Sequence, residues 1–189
     1  MPTLVFYTYL FHIQNNSNLT VSSKWTVLSL IFLTTCLIPM LTVIMFRFTK
    51  VIKDLQMTER RDRYVPFIFI SLFYIIVTYL MTKQSWFNEI MTLSMIGMTT
   101  VVVLTNLITF FWKISAHAAG VAGWLGFILI YAKFFASSNT LFWPLIIAIC
   151  LNGLVIWARL YLNAHKPRES FAGFALGFLF CYCSILFFA

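Results

Sequence analysis

Charged residues are scarce in this sequence. Asp, Glu, Lys and Arg make up 10% of its 189 residues, whereas soluble domains use about 25%. Acidic residues are the rarest, with five Asp and Glu against 13 Lys and Arg, so the formal net charge is +8. Because 61% of the residues are hydrophobic, this composition excludes a soluble globular domain and indicates a polytopic membrane protein.

The sequence also lacks the cysteine spacing of a metal site or of a disulfide framework. All four cysteines fall inside apolar runs, where they fit small buried hydrophobic residues. There is no internal repeat and no polar linker to a second domain, and we expect no cofactor. The cysteines are Cys36, Cys150, Cys181 and Cys183.

Long apolar runs, by contrast, are abundant. Crossing a hydrocarbon core takes ~20 helical residues, and six runs reach or approach that length. They must be helices, because lipid offers the backbone no hydrogen-bond partner. The sequence therefore predicts an all-α, polytopic six-transmembrane-helix bundle over residues 25–189, kinked at Pro39, after an N-terminal interfacial segment at residues 1–24. The predicted spans are residues 25–46, 64–81, 90–112, 116–135, 141–158 and 171–189.

Basic residues concentrate at one end of this bundle, which we call the cationic end. Six crossings place the loops at residues 47–63, 113–115 and 159–170 there, with a net charge of +6 against +2 at the opposite end. The positive-inside rule would make the cationic end cytoplasmic. A site that binds an anion would also require an excess of basic residues. The basic residues of the cationic end are Arg47, Lys50, Lys53, Arg60, Arg61, Arg63, Lys113, Arg159, Lys166 and Arg168.

Two motifs at the cationic end carry chemistry. Arg159, His165 and Glu169 are spaced Arg-x5-His-x3-Glu, and Ser115-Ala116-His117 opens a predicted span. A cation, two imidazoles and a carboxylate are the groups that phosphoryl transfer needs. A third segment of the same loop set, Lys53-x6-Arg60, adds two cations.

These segments resemble the three signatures of the type 2 phosphatidic acid phosphatase superfamily over residues 50–177. The third signature, Ser-Arg-x5-His-x3-Asp, is matched in its Arg and His spacing, and the second is Pro-Ser-Gly-His. The first is Lys-x6-Arg-Pro. The chain departs from these patterns at Ile114, Ala116, Ala158, Glu169 and Arg61.

The resemblance implies a role for each residue. His165 would attack phosphorus to form a phosphohistidine, with Glu169 holding the other ring nitrogen, and His117 would act as general acid and base. The phosphate oxygens would be bound by a further set: Arg159, Lys53, Arg60 and Ser115, the last with the amide groups of the helix that it opens.

The resemblance thus implies an integral-membrane lipid phosphatase that hydrolyses a phosphomonoester or pyrophosphate of a lipid without a metal. Its partner would be a lipid phosphate and not a nucleic acid, in a bacterial inner membrane. Relatives of this kind often face the periplasm or lumen, so the side of the site and the oligomeric state stay open. The alternatives are a lipid phosphotransferase, or a non-catalytic relative that binds anionic lipid or serves as a membrane-complex subunit.

Two further interpretations concern packing and metal binding. Small-xxx-small pairs in residues 119–126 and 173–177 predict that the helices carrying the two motifs touch. Asn106 and Asn152 are interpreted as interhelical hydrogen-bonding residues. His117, His165 and Glu169 are competent zinc ligands, but the neighbouring arginines favour an anion.

Overall fold

The computed structural model describes residues 1–13, 20–52, 64–134 and 138–187. All the regular structure of these ranges is helical, as predicted. Helices α2 and α3 are joined by a π-helical segment, Leu33–Leu37, and a 3₁₀ turn, Ser138–Leu141, precedes α7. The α-helices are α1 Pro2–His12, α2 Val21–Phe32, α3 Ile38–Phe48, α4 Tyr64–Thr82, α5 Glu89–Phe111, α6 Ala116–Phe134, α7 Phe142–Tyr161 and α8 Pro167–Leu186.

Within the described residues, six helical stretches are long and apolar enough to cross a membrane, as the sequence predicted. The first is the continuous stretch Val21–Phe48, and the others are α4 to α8. The ends differ most at α8, which begins at Pro167 and not at residue 171. Proline is favoured at the first position of a helix, and Glu169 accepts a hydrogen bond from the backbone N–H of Lys166, so the polar residues before Phe171 join the helix.

The kink predicted at Pro39 stays a prediction, but the helix has a widened turn just before this residue. Proline has no N–H to donate to the carbonyl four residues earlier, which is that of Thr35. The hydroxyl of Tyr74 on α4 donates to that carbonyl at 2.9 Å. Just before Pro39, the N–H of Ile38 donates to the carbonyl of Leu33, five residues back, which is the π-helical pattern. The widened turn is therefore also the place where this helix is hydrogen-bonded to α4.

Helix α1 packs as part of the bundle. Val5, Phe6 and Leu10 are buried, and the helix contacts α2, α5 and α6. The indole Nε1 of Trp124 donates to Thr8 at 3.0 Å. The division of the chain at residue 24 stays a prediction, but one side of α1 is covered by protein.

Polar side chains link the spans. Asn106 donates to Ser71 across α4 and α5 at 3.1 Å, and Asn152 donates to the carbonyl of Val121 across α6 and α7 at 3.1 Å. Both asparagines are therefore interhelical, as interpreted from the sequence. Thr78 and Thr99 form a further such pair at 2.6 Å. Hydrogen bonds of this kind fix rotation of one helix against another where apolar packing alone is unselective.

Helices α6 and α8 make the most extensive contact between helices, as the small-residue pairs predicted. Ser115 lies against Gly173, and Ala119 lies against Gly177. Gly123 lies against Cys181, which is the same separation along the sequence, so the two helices run parallel and both begin at the cationic end. A Cβ at Gly173 would lie 2.5 Å from the Ser115 carbonyl oxygen. Only glycine allows two backbones to approach this closely.

We predict that Gly177→Ala destabilises the protein. The added Cβ would collide with the backbone of Ala119, which is part of a helix and cannot move alone. Overpacking of this kind costs about 1–3 kcal/mol, so the apparent Tm in detergent should fall by several degrees.

Gly153→Ala is the matched control, because a Cβ there has nothing within 4 Å. Removing a mid-helix glycine favours the helix by roughly 0.5–1 kcal/mol. Its Tm should stay level or rise. Equal falls for both variants would show that glycine is not required at the α6–α8 contact.

Candidate functional site

The turn between α7 and α8 sets the distance between Arg159 and His165. The carbonyl of Arg159 accepts from the N–H of Ala164 at 3.1 Å and of His165 at 3.4 Å. This closure requires a left-handed residue, and Asn163 supplies it with φ 49°. Asparagine is the residue that most often takes this place after glycine. The five-residue spacing is thus the length of one helix-ending turn.

Glu169 binds the ring of His165 and caps α8 with the same oxygen. Its Oε2 accepts from Nδ1 of His165 at 3.0 Å and from the N–H of Lys166 at 3.1 Å. Glu169 is the third residue of α8, where a carboxylate also favours the positive end of the helix dipole. Both residues are 8% exposed. The pair is therefore held inside the protein and not at its surface.

This geometry assigns the tautomer of His165. A carboxylate only accepts hydrogen bonds, so Nδ1 must carry the proton in the bond to Glu169. In the neutral ring the lone pair then lies on Nε2. If Nε2 becomes bonded to an electrophile, the ring gains positive charge, which the adjacent carboxylate stabilises. The arrangement suits a histidine nucleophile.

Ser115 ties the start of α6 to the start of α8. Its N–H donates to the carbonyl of Glu169 at 3.3 Å, and its Oγ accepts from the N–H of Ala118 at 3.3 Å. The side chain is fully buried and acts as the N-cap of α6. Its predicted part in phosphate binding stays a prediction. In the structure, Ser115 links the motif that opens α6 to the motif that opens α8.

His117 lies in the first turn of α6 and is exposed. It is about 200° around the helix from Ser115, so its Cβ is directed away from the stripe that contacts α8. It shares a face with Val121, one turn further on. The carbonyl of Val121 is the acceptor for Asn152, so α7 passes α6 at this level.

Arg159 lies at the same end of that α6–α7 contact. It is seven residues after Asn152 on α7, which is two turns along the same helix face. Because α7 runs antiparallel to α6, these two turns lead from the level of Val121 towards His117. Arg159 is partly buried. His117 and Arg159 therefore lie at the same end of α6 and α7, and the carbonyl of Arg159 holds the backbone of His165.

The structure thus brings Glu169 into hydrogen-bond contact with both Ser115 and His165 and places Arg159 and His117 at the same end of the bundle. The remaining predicted residues, Lys53 and Arg60, lie outside the described residues. Lys166 and Arg168 flank the pair on exposed positions of α8, so the surroundings of His165 are cationic. A cationic surface of this kind attracts an anion.

Sequence reasoning missed two residues that build this site. Asn163 makes the turn, and the signal was available, because asparagine shortly after the end of a helix is typical of a left-handed residue. Ser170 is 1% exposed, and its hydroxyl has no hydrogen-bond partner among the described residues. Nothing in the sequence singled it out.

No group of three or more His, Cys, Asp and Glu side chains comes together as metal ligands within the described ranges. His165 and Glu169 form a pair only. No family model, curated protein or solved structure matches the chain. The chemistry of the site must therefore be argued from its own geometry.

We predict that Asn163→Val opens the site and that Asn163→Gly preserves it. A β-branched residue in a left-handed conformation costs about 1–3 kcal/mol, so valine should unwind the turn and expose His165. Glycine adopts this conformation without strain. Carbethoxylation of His165 by diethyl pyrocarbonate, followed by mass spectrometry, measures the exposure.

His117 serves as the reference in the same experiment, because it is exposed and should react at a similar rate in all three proteins. His165 should react slowly in the unmodified protein and in Asn163→Gly, and faster in Asn163→Val. Unchanged protection of His165 in the valine variant would mean that the left-handed turn does not hold it.

Proposed function

We propose that this protein is an integral-membrane lipid phosphatase that works through a phosphohistidine at His165. The observation that supports the proposal is the buried hydrogen bond between Nδ1 of His165 and Glu169, because a ring protonated at Nδ1 carries its lone pair on Nε2 when it is neutral. The cationic end of the bundle supports an anionic substrate, and the six spans support a membrane lipid as its source.

The reaction has two steps. Nε2 of His165 forms a bond to phosphorus as the bond from phosphorus to the lipid oxygen breaks, and His117 gives its proton to that oxygen. His117 then takes a proton from water, whose oxygen attacks phosphorus and releases Nε2 and inorganic phosphate. Proton transfers of this type are worth ~10²–10⁴ in rate.

Arginine binds two phosphoryl oxygens at once, which suits Arg159 to the clamp of the transferred group. Lys53 and Arg60 complete the clamp in this proposal. Charge that develops on the phosphoryl oxygens is stabilised by cations already in place, and such preorganised stabilisation is commonly the largest part of catalysis. The first turn of α6 adds amide donors and the positive end of its dipole at the same end of the bundle.

We predict that His165→Ala abolishes phosphate release and that Glu169→Gln strongly reduces it. Glutamine keeps an oxygen for Nδ1 and for the helix cap but removes the charge that stabilises the cationic ring, so kcat should fall by ~10²–10⁴. Phosphate release from phosphatidate, phosphatidylglycerophosphate, polyprenyl pyrophosphate and lipid A, with protein in lipid nanodiscs, measures the effect.

His12→Ala is the matched control, since His12 ends α1 at the opposite end of the bundle and packs against Tyr7. It should keep full activity. The same samples should be assayed for phosphorylated lipid products, because transfer to a second lipid would identify a phosphotransferase. The proposal would be contradicted if the unmodified protein turned over none of these substrates. If it and the His165→Ala variant also bound phosphatidate-containing vesicles equally well, a non-catalytic lipid-binding protein would be favoured.

A further inference from the structure

A cavity of about 230 Å³ lies between the spans, in the half of the bundle that adjoins the cationic end. Helix α4 lines it with Phe67 and Ile70, and α6 lines it with Gly120 and Gly123. Helix α5 forms the wall between them and contributes Val102. The surface of the cavity is mainly apolar, so water inside it would find few hydrogen-bond partners.

The cavity is partly open, on the side where α4 and α6 face each other. Each of these helices packs against α5, but they make almost no contact with one another in the described residues. Both have 19 residues, a length of about 28 Å, which a hydrocarbon core of ~30 Å covers completely. The partly buried lining residues Ile70 and Gly120 lie about 6–9 Å along their helices from the cationic end. The gap between α4 and α6 therefore opens to acyl chains and not to water.

Helix α1 shows which kind of surface fits this part of the bundle. Val5 and Phe6 are 1% exposed, and α1 packs against α5 and α6. Pro2 and Val5 also line the inner end of the cavity. From there α1 runs towards the opposite end, because Tyr9 accepts a hydrogen bond from Asn88 at the start of α5. The cavity thus continues a groove that apolar side chains of α1 already occupy, and an apolar partner would complete it.

We propose that one hydrocarbon chain of a bilayer phospholipid enters between α4 and α6 and fills this cavity. Side chains along an empty wall lose van der Waals contacts, and water would lose hydrogen bonds there. An acyl chain restores the contacts and only exchanges one apolar environment for another. The bound chain would bridge α4 and α6, which hardly touch each other directly. Among the described residues, none that lines the cavity belongs to the hydrogen-bonded site of His165 and Glu169, so its occupation does not depend on phosphatase activity.

Lipid labelling tests the site in the unmodified protein. Phosphatidylcholine with a diazirine in the middle of one acyl chain, irradiated in nanodiscs, should label Met98 and Val101, which line the cavity and are 7% and 6% exposed. Lipid that stays outside reaches only residues such as Leu107, which lies on the same helix and is 50% exposed. Mass spectrometry locates the label. Labelling confined to exposed positions would overturn the proposal.

The headgroup provides a second comparison. Phosphatidylglycerol that carries the same diazirine chain should label Met98 to the same extent, because the chain and not the headgroup is bound. Labelling of Met98 that required one of the two headgroups would overturn the assignment to a hydrocarbon chain alone.

Filling the cavity with a side chain should exclude the lipid chain. Val102→Phe does this from α5, and Gly120→Leu does it from α6, where an added Cβ meets only the flexible side chain of Met1. Each variant should lower the labelling of Met98 about tenfold, which corresponds to about 1.4 kcal/mol. Leu107→Phe is the matched control and should leave the labelling unchanged. Because the two variants act from different helices, one that failed to fold would leave the other, and unchanged labelling in a folded filling variant would overturn the proposal.

Discussion

The contact between α6 and α8 is the constraint on which the rest of the arrangement depends. Two parallel helices touch backbone to backbone because Gly173 and Gly177 have no side chain. In lipid there is little hydrophobic drive for such contacts, so close van der Waals approach must supply the association. The contact aligns the starts of the two helices, which is why Ser115 and Glu169 can share a hydrogen bond. Motifs that are about fifty residues apart in the chain are joined by this alignment.

The presence of glutamate at position 169 has a physical explanation. At the third position of a helix, glutamate is the side chain that reaches back to the N-cap amide, as in a capping box. Here the same oxygen also reaches Nδ1 of the preceding histidine. One carboxylate thus starts the helix and orients the ring. Stability of the helix end and orientation of the imidazole are therefore coupled in this chain.

The spans were predictable because a bilayer imposes both the length and the helical form, and the α6–α8 contact was predictable from its small residues. The burial of α1 was not, because a ten-residue apolar run has the same pattern whether it lies at an interface or packs against protein. The position of α1 depends on hydrogen bonds to Trp124 and Asn88, which the local sequence does not predict. Pro39 predicted a kink, but the widened turn and the acceptor role of Thr35 required knowledge of Tyr74.

The candidate site divides in the same way. The spacing of Arg159 and His165 could be recognised as a motif in the sequence. Its cause is the turn at Asn163, which depends on a left-handed backbone conformation. Lys53 and Arg60 lie outside the described residues, so their predicted place at the phosphate stays a prediction.

The π-helical segment before Pro39 also controls which way α3 faces. Its five-residue hydrogen bond places one more residue in the turn than a regular α-helix would, and each residue corresponds to about 100° of rotation. Regular α-helical winding of the same residues would turn the whole of α3 by that angle. Phe46, which is buried, would then face lipid. The widened turn is thus the phase adjustment that lets one continuous stretch, Val21–Phe48, present its inward residues to two different sets of neighbours.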